Sequence, residues 1–361
     1  MARGRKRLPA GPREARIESL SHDGRGVARI AGKVTFIDGA LPGELVTFRY
    51  TGRRRSRDEG SVLEILQAAP ERVAPRCDSF GRCGGCSLQH LDPAAQIEAK
   101  QRLLLEQLRR IGAVEAQRLL PPLTGPLWGY RHKARLGARF VKGKGRVLVG
   151  FRERHSGYIV DMQRCEILHP AIGGRMTELA ELVQSLRICR SVPQLEVAVG
   201  DGVAALVFRH LEELDPGDRA LLEDFGRRTG LHIYLQPGGP DSVHLLWPER
   251  SQLGYRLPEF DLELLFLPTD FTQVNEALNR KMVRQALELL DCGPRQRVLD
   301  LFCGIGNFSL PLARMAGEVV GVEGDAALVQ RARDNARRNG LHNVEFHVAD
   351  LAQEIDCYSW A

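Results

Sequence analysis

The chain has 361 residues, of which 43% are hydrophobic and 27% charged, so it is long enough for two or three domains with separate cores. No apolar run approaches the length of a membrane-spanning helix. The basic segment 1–13 is followed by no apolar segment, so no secretory signal is expected. We therefore expect a cytoplasmic protein that does not bind membranes.

The net charge of +6 is concentrated near the start of the sequence. Residues 1–60 hold 14 Lys/Arg and 7 Asp/Glu, whereas the whole chain holds 51 and 45, so the remainder is close to neutral. Basic clusters lie at 3–7 and 53–57. A basic tail alone is often only solubilising. Two clusters flanking a small domain instead favour a polyanionic partner, because such binding releases counterions.

The segment between these clusters has the pattern of a small all-β domain. Five strand-like runs are separated by Gly, Asp and Pro turns: 15–20, 26–30, 33–37, 44–48 and 60–65. Five short strands of this kind favour a closed barrel of the OB type, a fold that binds oligonucleotides. We predict a basic tail over 1–13 and a β barrel over 14–69.

A cysteine-bearing loop is predicted over residues 70–92. Three cysteines share it: Cys77, Cys83 and Cys86. Thiols this close are typical of metal ligands in a protein without expected disulfides, and the neighbouring glycines would let the loop wrap a cluster. Cys165 is the candidate fourth ligand, with Cys189 and His90 as alternatives. The spacing leaves Zn²⁺ and a [4Fe–4S] cluster both open.

The middle of the chain alternates helical and strand-like patterns. A helix is predicted over 93–110, and residues 93–262 are expected to form a central α+β domain. A further helix over 274–290, with Thr272 or Asn275 as its N-cap, leads into the last domain.

Residues 263–361 carry the signature of a nucleotide-binding domain. The apolar Val298-Leu299 pair predicts a buried parallel strand, and Gly304 and Gly306 predict a tight turn before a helix over 308–316. The third glycine of the dinucleotide pattern G-x-G-x-x-G is missing, so a ligand without a pyrophosphate is favoured.

Two further strands of this domain end in acidic residues. Residues 319–322 lead to Glu323 and residues 344–348 lead to Asp350, with a helix predicted between them over 326–339. A carboxylate after the second strand is where doubly wound sheets hold ribose hydroxyls. The sequence therefore predicts a Rossmann-like α/β domain that binds S-adenosyl-L-methionine (SAM).

With these parts in this order, the chain resembles the RNA 5-methyluridine methyltransferases. It is most similar to the bacterial iron–sulfur branch that methylates C5 of uracil 1939 in 23S rRNA. The resemblance runs from about residue 14 to the last residue and implies a TRAM-type barrel, 23S rRNA as partner and a monomeric state. It also implies [4Fe–4S] ligands and SAM contacts. The cluster ligands are Cys77, Cys83, Cys86 and Cys165. The SAM contacts are Gln273, Phe302, Asn307, Glu323 and Asp350.

The resemblance also implies a covalent mechanism on a base flipped out of its stack. A cysteine adds to C6 of uracil, and C5 takes the methyl group from SAM. A base then removes the C5 proton and the cysteine leaves C6. The family's nucleophilic cysteine and glutamate base are expected beyond Ala361, and neither Cys303 nor Cys357 is favoured as a substitute. No catalytic residue is therefore assigned, the methyltransferase domain is expected to be incomplete with about three strands, and the 361 residues alone are expected to be inactive.

Two alternatives remain open. One is a methyltransferase for another rRNA uracil or for the T-loop uridine of tRNA, because fold and cofactor do not set the substrate. The other is a non-catalytic iron–sulfur RNA-binding protein that retains SAM. Plausible RNA contacts are the basic runs at 53–57 and 131–133 and the segment near 151–152.

Overall fold

The computed structural model describes residues 8–353. The chain divides into two compact units, one of Met1–Pro122 with Phe151–Val160 and one of Leu123–Gly150 with Asp161–Ala361. The domain boundaries expected from the sequence stay a prediction.

The first unit contains the β domain. Its strands are β1 (Arg13–Arg16), β2 (Ser19–Leu20), β3 (Gly26–Ile30), β4 (Lys33–Asp38), β5 (Leu45–Arg53) and β6 (Arg57–Gln67). They form one sheet in the order β1-β5-β6-β4-β3-β2, in which only the β4–β6 pairing is parallel. Ile37, Val46 and Phe48 are fully buried at its centre.

The two outer strands of this sheet are consecutive in sequence, which closes it. Ile17, between β1 and β2, donates its N–H to the carbonyl of Glu44, while Glu18 donates to the carbonyl of Val27. One stretch of chain therefore pairs with both ends of the sheet, and the expected closed barrel is confirmed. The run predicted as a single strand over 15–20 is split where it changes partner.

Helix α1 (Pro93–Arg110) also belongs to this unit and matches its predicted bounds. Asp92 caps it by accepting hydrogen bonds from the N–H groups of Ala94 and Ala95. The cysteine-bearing loop precedes it, and the segment 151–160 lies against that loop through a β-bridge between Cys83 and Glu153.

The second unit opens with a mixed six-stranded sheet. Its strands are β7 (Lys133–Val141), β8 (Arg146–Gly150), β9 (Gln194–Val199), β10 (Ala204–Arg209), β11 (His232–Gln236) and β12 (His244–Trp247). The order is β12-β11-β10-β9-β7-β8, and only β10 and β11 run parallel. The accompanying helices are α2 (Pro170–Gly173), α3 (Met176–Ser185) and α4 (Pro216–Thr229). The expected α+β class of this region is confirmed.

A hairpin and a helix follow this sheet. The antiparallel strands β13 (Leu253–Leu257) and β14 (Leu262–Phe266) lead to helix α5 (Glu276–Leu290). The side chain of Asn275 caps α5 by accepting a hydrogen bond from the N–H of Leu278 at 3.1 Å. Of the two predicted caps, Asn275 is therefore the one used, and the helix begins two residues later than predicted.

The last domain is a parallel sheet with alternating helices, as expected. In chain order it contains β15 (Arg297–Leu301), α6 (Ser309–Ala313), β16 (Glu318–Glu323), α7 (Ala326–Arg338) and β17 (Val344–Val348). The described strands pair in the order β15-β16-β17, so the expectation of about three strands holds over residues 293–353. The predicted helix over 308–316 is shorter than expected.

One sequence expectation about this sheet is met only in part: β15 is parallel to β16 and Val298 packs against the core, but the strand is not fully buried in the described part of the chain. The strand around Val298 and Leu299 was expected to be buried, but Leu299 is 44% exposed and Leu301 40% exposed. In the part of the chain that the structure describes, β15 is an edge strand with a neighbour on one side only. An apolar run predicts a buried strand, but the sequence pattern does not reveal its position in the sheet.

A continuous apolar core joins the sheets of the second unit. It includes Ala205 of β10, Leu264 of β14, Val283 of α5 and Val319 of β16. The hairpin therefore packs into the same core as the parallel sheet, which fixes the elements that carry the site described below. Among residues 8–353, no helix combines the length and apolar composition needed to cross a lipid bilayer.

A buried ion pair holds the end of the barrel. Glu44 is fully buried and accepts hydrogen bonds from Nε and Nη2 of Arg72, at 2.5 and 2.8 Å, and from the N–H groups of Leu41 and Ala69. Burial alone would raise the pKa of the Glu44 carboxyl, but these bonds outweigh it and hold the pKa below its usual value.

We expect Glu44→Gln to lower the free energy of unfolding by about 3 kcal/mol, because it leaves the Arg72 guanidinium without its charge partner. Since the folded-state pKa of Glu44 is depressed, its contribution is present at neutral pH and is lost as the solution is acidified through the glutamate range. Urea unfolding at about pH 7 and about pH 4 measures both effects. Glu64→Gln, at an exposed position on β6, is the matched control, and equal stability of the two variants would contradict the assignment.

Candidate functional site

The loop after β15 has an unusual backbone. Phe302, Gly304 and Gly306 all have positive φ, at 62°, 56° and 94°. This region suits glycine but is strained for phenylalanine, and the Phe302 ring is 73% exposed. Strain of this kind is typical of functional loops. The tight turn at Gly304 and Gly306 was predicted from the sequence, but the positive φ of Phe302 was not.

Glu323, at the end of β16, is bound to this loop. Its Oε2 accepts the N–H of Gly304 at 3.2 Å, and its Oε1 accepts the N–H groups of Gly324 and Asp325 at 2.8 and 3.2 Å. A carboxylate has about four acceptor positions, so one remains for a ligand hydroxyl. This is the capacity expected of a residue that binds a ribose.

Asp350 lies one strand further along the same edge. It follows β17 and is exposed, and its carboxylate accepts the N–H of Ala352 at 3.0 Å. The preceding residue, Ala349, donates its N–H to the carbonyl of Glu323 at 3.1 Å. The structure therefore brings Phe302, Glu323 and Asp350 together at the carboxyl ends of three adjacent strands.

Asn307, also in the loop, is held by two residues that the sequence did not single out. Its Oδ1 accepts hydrogen bonds from the Tyr255 hydroxyl and from Nδ2 of Asn279, both at 2.8 Å. Its Nδ2 donates to Oδ1 of Asn279 at 3.0 Å. The loop is thereby tied to the hairpin and to helix α5.

Gln273 lines a pocket beside this network. The pocket is formed by eight residues of the second unit: His132, Val199, Tyr255, Phe266, Thr272, Gln273, Glu276 and Asn279. Because Tyr255 and Asn279 also bind Asn307, the pocket is continuous with the residues that hold the glycine loop. Gln273 and Asn307 therefore both lie near Tyr255 and Asn279.

His132 and Lys133, at the start of β7, bind the segment that carries Gln273. His132 donates its backbone N–H to the carbonyl of Val274 at 2.9 Å, and its ring Nδ1 lies 3.1 Å from a carboxylate oxygen of Glu276. The ammonium group of Lys133 donates to the carbonyl of Pro268. Burial lowers the pKa of Lys133. The side chains of His132 and Lys133, proposed from sequence as RNA contacts, thus bind the protein itself.

Two other polar side chains near the loop have structural partners. Asp300 accepts a hydrogen bond from the Ser309 hydroxyl at 2.6 Å, and burial raises the Asp300 pKa. Cys303 is buried, and burial together with the charges of Asp300 and Glu323 raises the pKa of its thiol to about 12. A thiol with this pKa stays protonated at neutral pH and is a poor nucleophile, as the sequence led us to expect. Cys357 lies outside the described residues.

The cysteine-bearing loop belongs to the first unit. Cys83 is buried there, and its Sγ accepts the N–H of Gly85 at 3.4 Å. Gly84 donates its N–H to the carbonyl of Arg152, and a Cβ on Gly84 would lie 3.1 Å from that oxygen. Gly84 thus allows the loop backbone to approach the backbone of Arg152, and Gly85 directs its N–H at the sulfur of Cys83. Both features suit a loop that binds a cluster through thiolates.

The candidates for a fourth ligand differ in their surroundings. Cys165, in the second unit, is buried and donates its backbone N–H to the carbonyl of Gly173. Cys189 is half-buried in the same unit. His90 is 2% exposed, and burial lowers its pKa to about 4, so its ring is neutral. Within residues 8–353, no three His, Cys, Asp or Glu side chains are already arranged as a metal site.

The basic run at 53–57 lies at the junction of β5 and β6. Arg53, Arg54 and Arg57 are within 3.4–3.9 Å of carboxylates of Asp58 or Glu59. These arginines are exposed, and exposed pairs of this kind are weak. Their guanidinium groups therefore stay accessible to a polyanion.

Together these features define an α/β domain of the methyltransferase class. Residues 293–361 match a family model described as a methyltransferase domain, and residues 13–49 match one described as a TRAM domain. The expected barrel type and the expected domain class are both confirmed.

Curated relatives match almost the whole chain. The 23S rRNA (uracil(1939)-C(5))-methyltransferase RlmD of Methylococcus capsulatus is 55% identical over 99% of this chain and 81% of its own length. The same enzyme of Nitrosococcus oceani is 56% identical over 99% and 80%. The chain belongs to the family of 23S rRNA (uracil(1939)-C(5))-methyltransferases.

A solved structure supports the fold independently. The tRNA (uracil-54, C5)-methyltransferase of Pyrococcus abyssi, in complex with S-adenosyl-L-homocysteine, superposes with a TM-score of 0.68. It is 22% identical and covers 96% of this chain and 81% of its own. At this identity the likeness establishes the shared fold alone.

We expect Lys133→Met to loosen the segment that carries Gln273, because it removes a charge-assisted hydrogen bond to Pro268. The N–H groups of Leu267 and Asp270, which are hydrogen-bonded within this segment, should exchange with solvent about tenfold faster. Lys281→Met is the matched control, since Lys281 also donates to a carbonyl, that of Thr124. Unchanged hydrogen exchange of these two N–H groups in Lys133→Met would show that the bond from Lys133 to Pro268 does not stabilise the segment.

Proposed function

We propose that this protein transfers the methyl group of SAM to C5 of a uracil in 23S rRNA, at the position equivalent to that modified by its relatives. The observation that supports the proposal most strongly is an identity above 50% to such enzymes over almost the whole chain. The hydrogen bond of Glu323 to Gly304 and the pocket that Gln273 lines agree with a SAM site. An anionic RNA also agrees with the excess of positive charge in residues 1–60. We further propose that it acts as a monomer in the cytoplasm.

Five residues are proposed to contact SAM: Gln273, Phe302, Asn307, Glu323 and Asp350. Glu323 keeps one free acceptor position for a ribose hydroxyl, and Asp350, which follows the next strand, is proposed to contact the adenine. The exposed Phe302 ring offers an apolar surface beside the loop. SAM supplies the electrophilic methyl group, and these residues bind and orient it.

Deleting the gene should remove one 5-methyluridine from 23S rRNA and leave the T-loop methylation of tRNA unchanged, as measured by nuclease digestion and mass spectrometry. Restoring the gene should restore the modification. The Glu323→Ala gene should not, because the variant loses both a ribose acceptor and the bond to Gly304. Glu318→Ala, at the opposite end of β16 and paired only with Arg297 at the surface, is the matched control.

The two alternative functions predict different results in the same experiment. Loss of a tRNA methylation instead would identify a T-loop enzyme. Unchanged methylation of both RNAs would favour a non-catalytic RNA-binding protein and overturn the proposal.

We also propose that Cys77, Cys83, Cys86 and Cys165 bind a [4Fe–4S] cluster with a structural role. The donor set is chemically suitable, because it consists of thiols and one of them already accepts a backbone N–H.

Anaerobic purification should therefore give a brown protein with about four iron atoms per chain. Replacing any of the four cysteines by serine should remove most of the iron and colour. Cys292→Ser, at another buried cysteine, should retain both. Stoichiometric zinc in a colourless protein would overturn the cluster assignment while leaving the methyltransferase proposal intact.

A further inference from the structure

The side-chain amide of Asn307 is held in one orientation. Its Oδ1 accepts two hydrogen bonds, from Tyr255 and Asn279, and an amide oxygen has two lone pairs. Its Nδ2 has two N–H bonds, of which one is donated to Asn279. The oxygen is thus saturated, and Asn307 retains one side-chain donor and no side-chain acceptor.

Both partners of Asn307 are fixed by burial. Asn279 is 3% exposed on helix α5, and Tyr255 is 7% exposed on strand β13. Burial raises the pKa of Tyr255, so its hydroxyl remains protonated and acts as the donor. Turning the Asn307 amide alone would place its NH₂ against the NH₂ of Asn279. Turning both amides together would keep their mutual bonds but would leave the buried Tyr255 O–H without its acceptor, which is costly.

Asn307 lies in the part of the loop that packs closely on α6. It directly follows Gly306, and a Cβ on Gly306 would lie 2.9 Å from the side chain of Leu310 in α6. Asn279 also lines the pocket that contains Gln273. The Asn307 amide therefore lies in the glycine loop next to a residue of that pocket. Since Glu323 is proposed to hold the ribose, we place the amino-acid part of SAM at this loop.

We propose that Asn279 and Tyr255 are positioning residues that present Asn307 to SAM solely as a hydrogen-bond donor. The matching ligand group must be an acceptor, and in the amino-acid part of SAM this is the carboxylate, since the amino group is protonated at neutral pH. This inference rests on the proposed SAM-dependent function. It makes Asn279 and Tyr255 determinants of specificity for a ligand that carries this carboxylate.

The test compares the binding of SAM with that of decarboxylated SAM by calorimetry. Wild type should bind SAM more tightly than the decarboxylated ligand. Tyr255→Phe removes the donor that distinguishes the two orientations and lets both amides turn together, so the preference for SAM should fall about tenfold. Asn279→Leu leaves the Tyr255 bond to the Asn307 oxygen in place, so it should lose a smaller part of the preference.

The pH dependence of SAM binding by Asn279→Asp distinguishes a positioning role from a purely structural one. The carboxyl group introduced by this substitution cannot donate to the Asn307 oxygen when it is ionised, whereas its protonated form can. SAM affinity of this variant should therefore recover as the solution is acidified from about pH 8 to about pH 6, since burial raises the pKa of a carboxyl. Wild type should not gain affinity over the same range.

Asn343→Leu is the matched control, because Asn343 donates to the carbonyls of Ala313 and Ala316, away from the loop. It should lose stability and keep the wild-type preference for SAM. A Tyr255→Phe variant that folds and retains the full preference would overturn the inference alone. Absence of SAM binding by wild type would overturn both the inference and the proposed function.

Discussion

A single buried asparagine connects the elements on which the site depends. Asn335 of α7 is 1% exposed; its Nδ2 donates to the carbonyls of Leu265 and Ile305, and its Oδ1 accepts the N–H of Leu265. One amide therefore satisfies backbone groups of the hairpin strand β14 and of the glycine loop. Because an unpaired buried peptide group is costly, the loop cannot shift relative to the hairpin without breaking these bonds.

Local patterns predicted the secondary structure of the site well. The strand ending in Glu323, the turn at Gly304 and Gly306 and the Asn275 cap each depend on residues close in sequence, and each was found. The partners of Asn307 were not predicted, because Asn279 is 28 positions away and Tyr255 is 52. The only available signal for Asn279 was its place one helical turn after the Asn275 cap, on a face that otherwise packs into the core.

The basic residues illustrate the same limit of sequence reasoning. Arg53 to Arg57 and Arg131 to Lys133 look alike as runs of positive charge, yet their surroundings differ. In the first run the arginines lie at an exposed strand junction with weak carboxylate pairs. In the second, Lys133 binds the carbonyl of Pro268. Charge composition does not distinguish a surface that binds a polyanion from a cation that holds a loop, because burial depends on contacts distant in sequence.

The residues of the proposed site are held by hydrogen bonds within the protein. Glu323 is fixed by three backbone N–H groups, Asn307 by two buried side chains, and the Gln273 segment by His132 and Lys133. Binding then costs little ordering of the protein, so most of the interaction energy remains available for affinity. The same rigidity explains why Phe302 can hold a positive φ: the bonds on either side, at Asp300 and Gly304, leave the backbone little freedom to relax. The strained residue is thus maintained by the polar network around it, and its exposed ring is presented at a fixed position beside the loop.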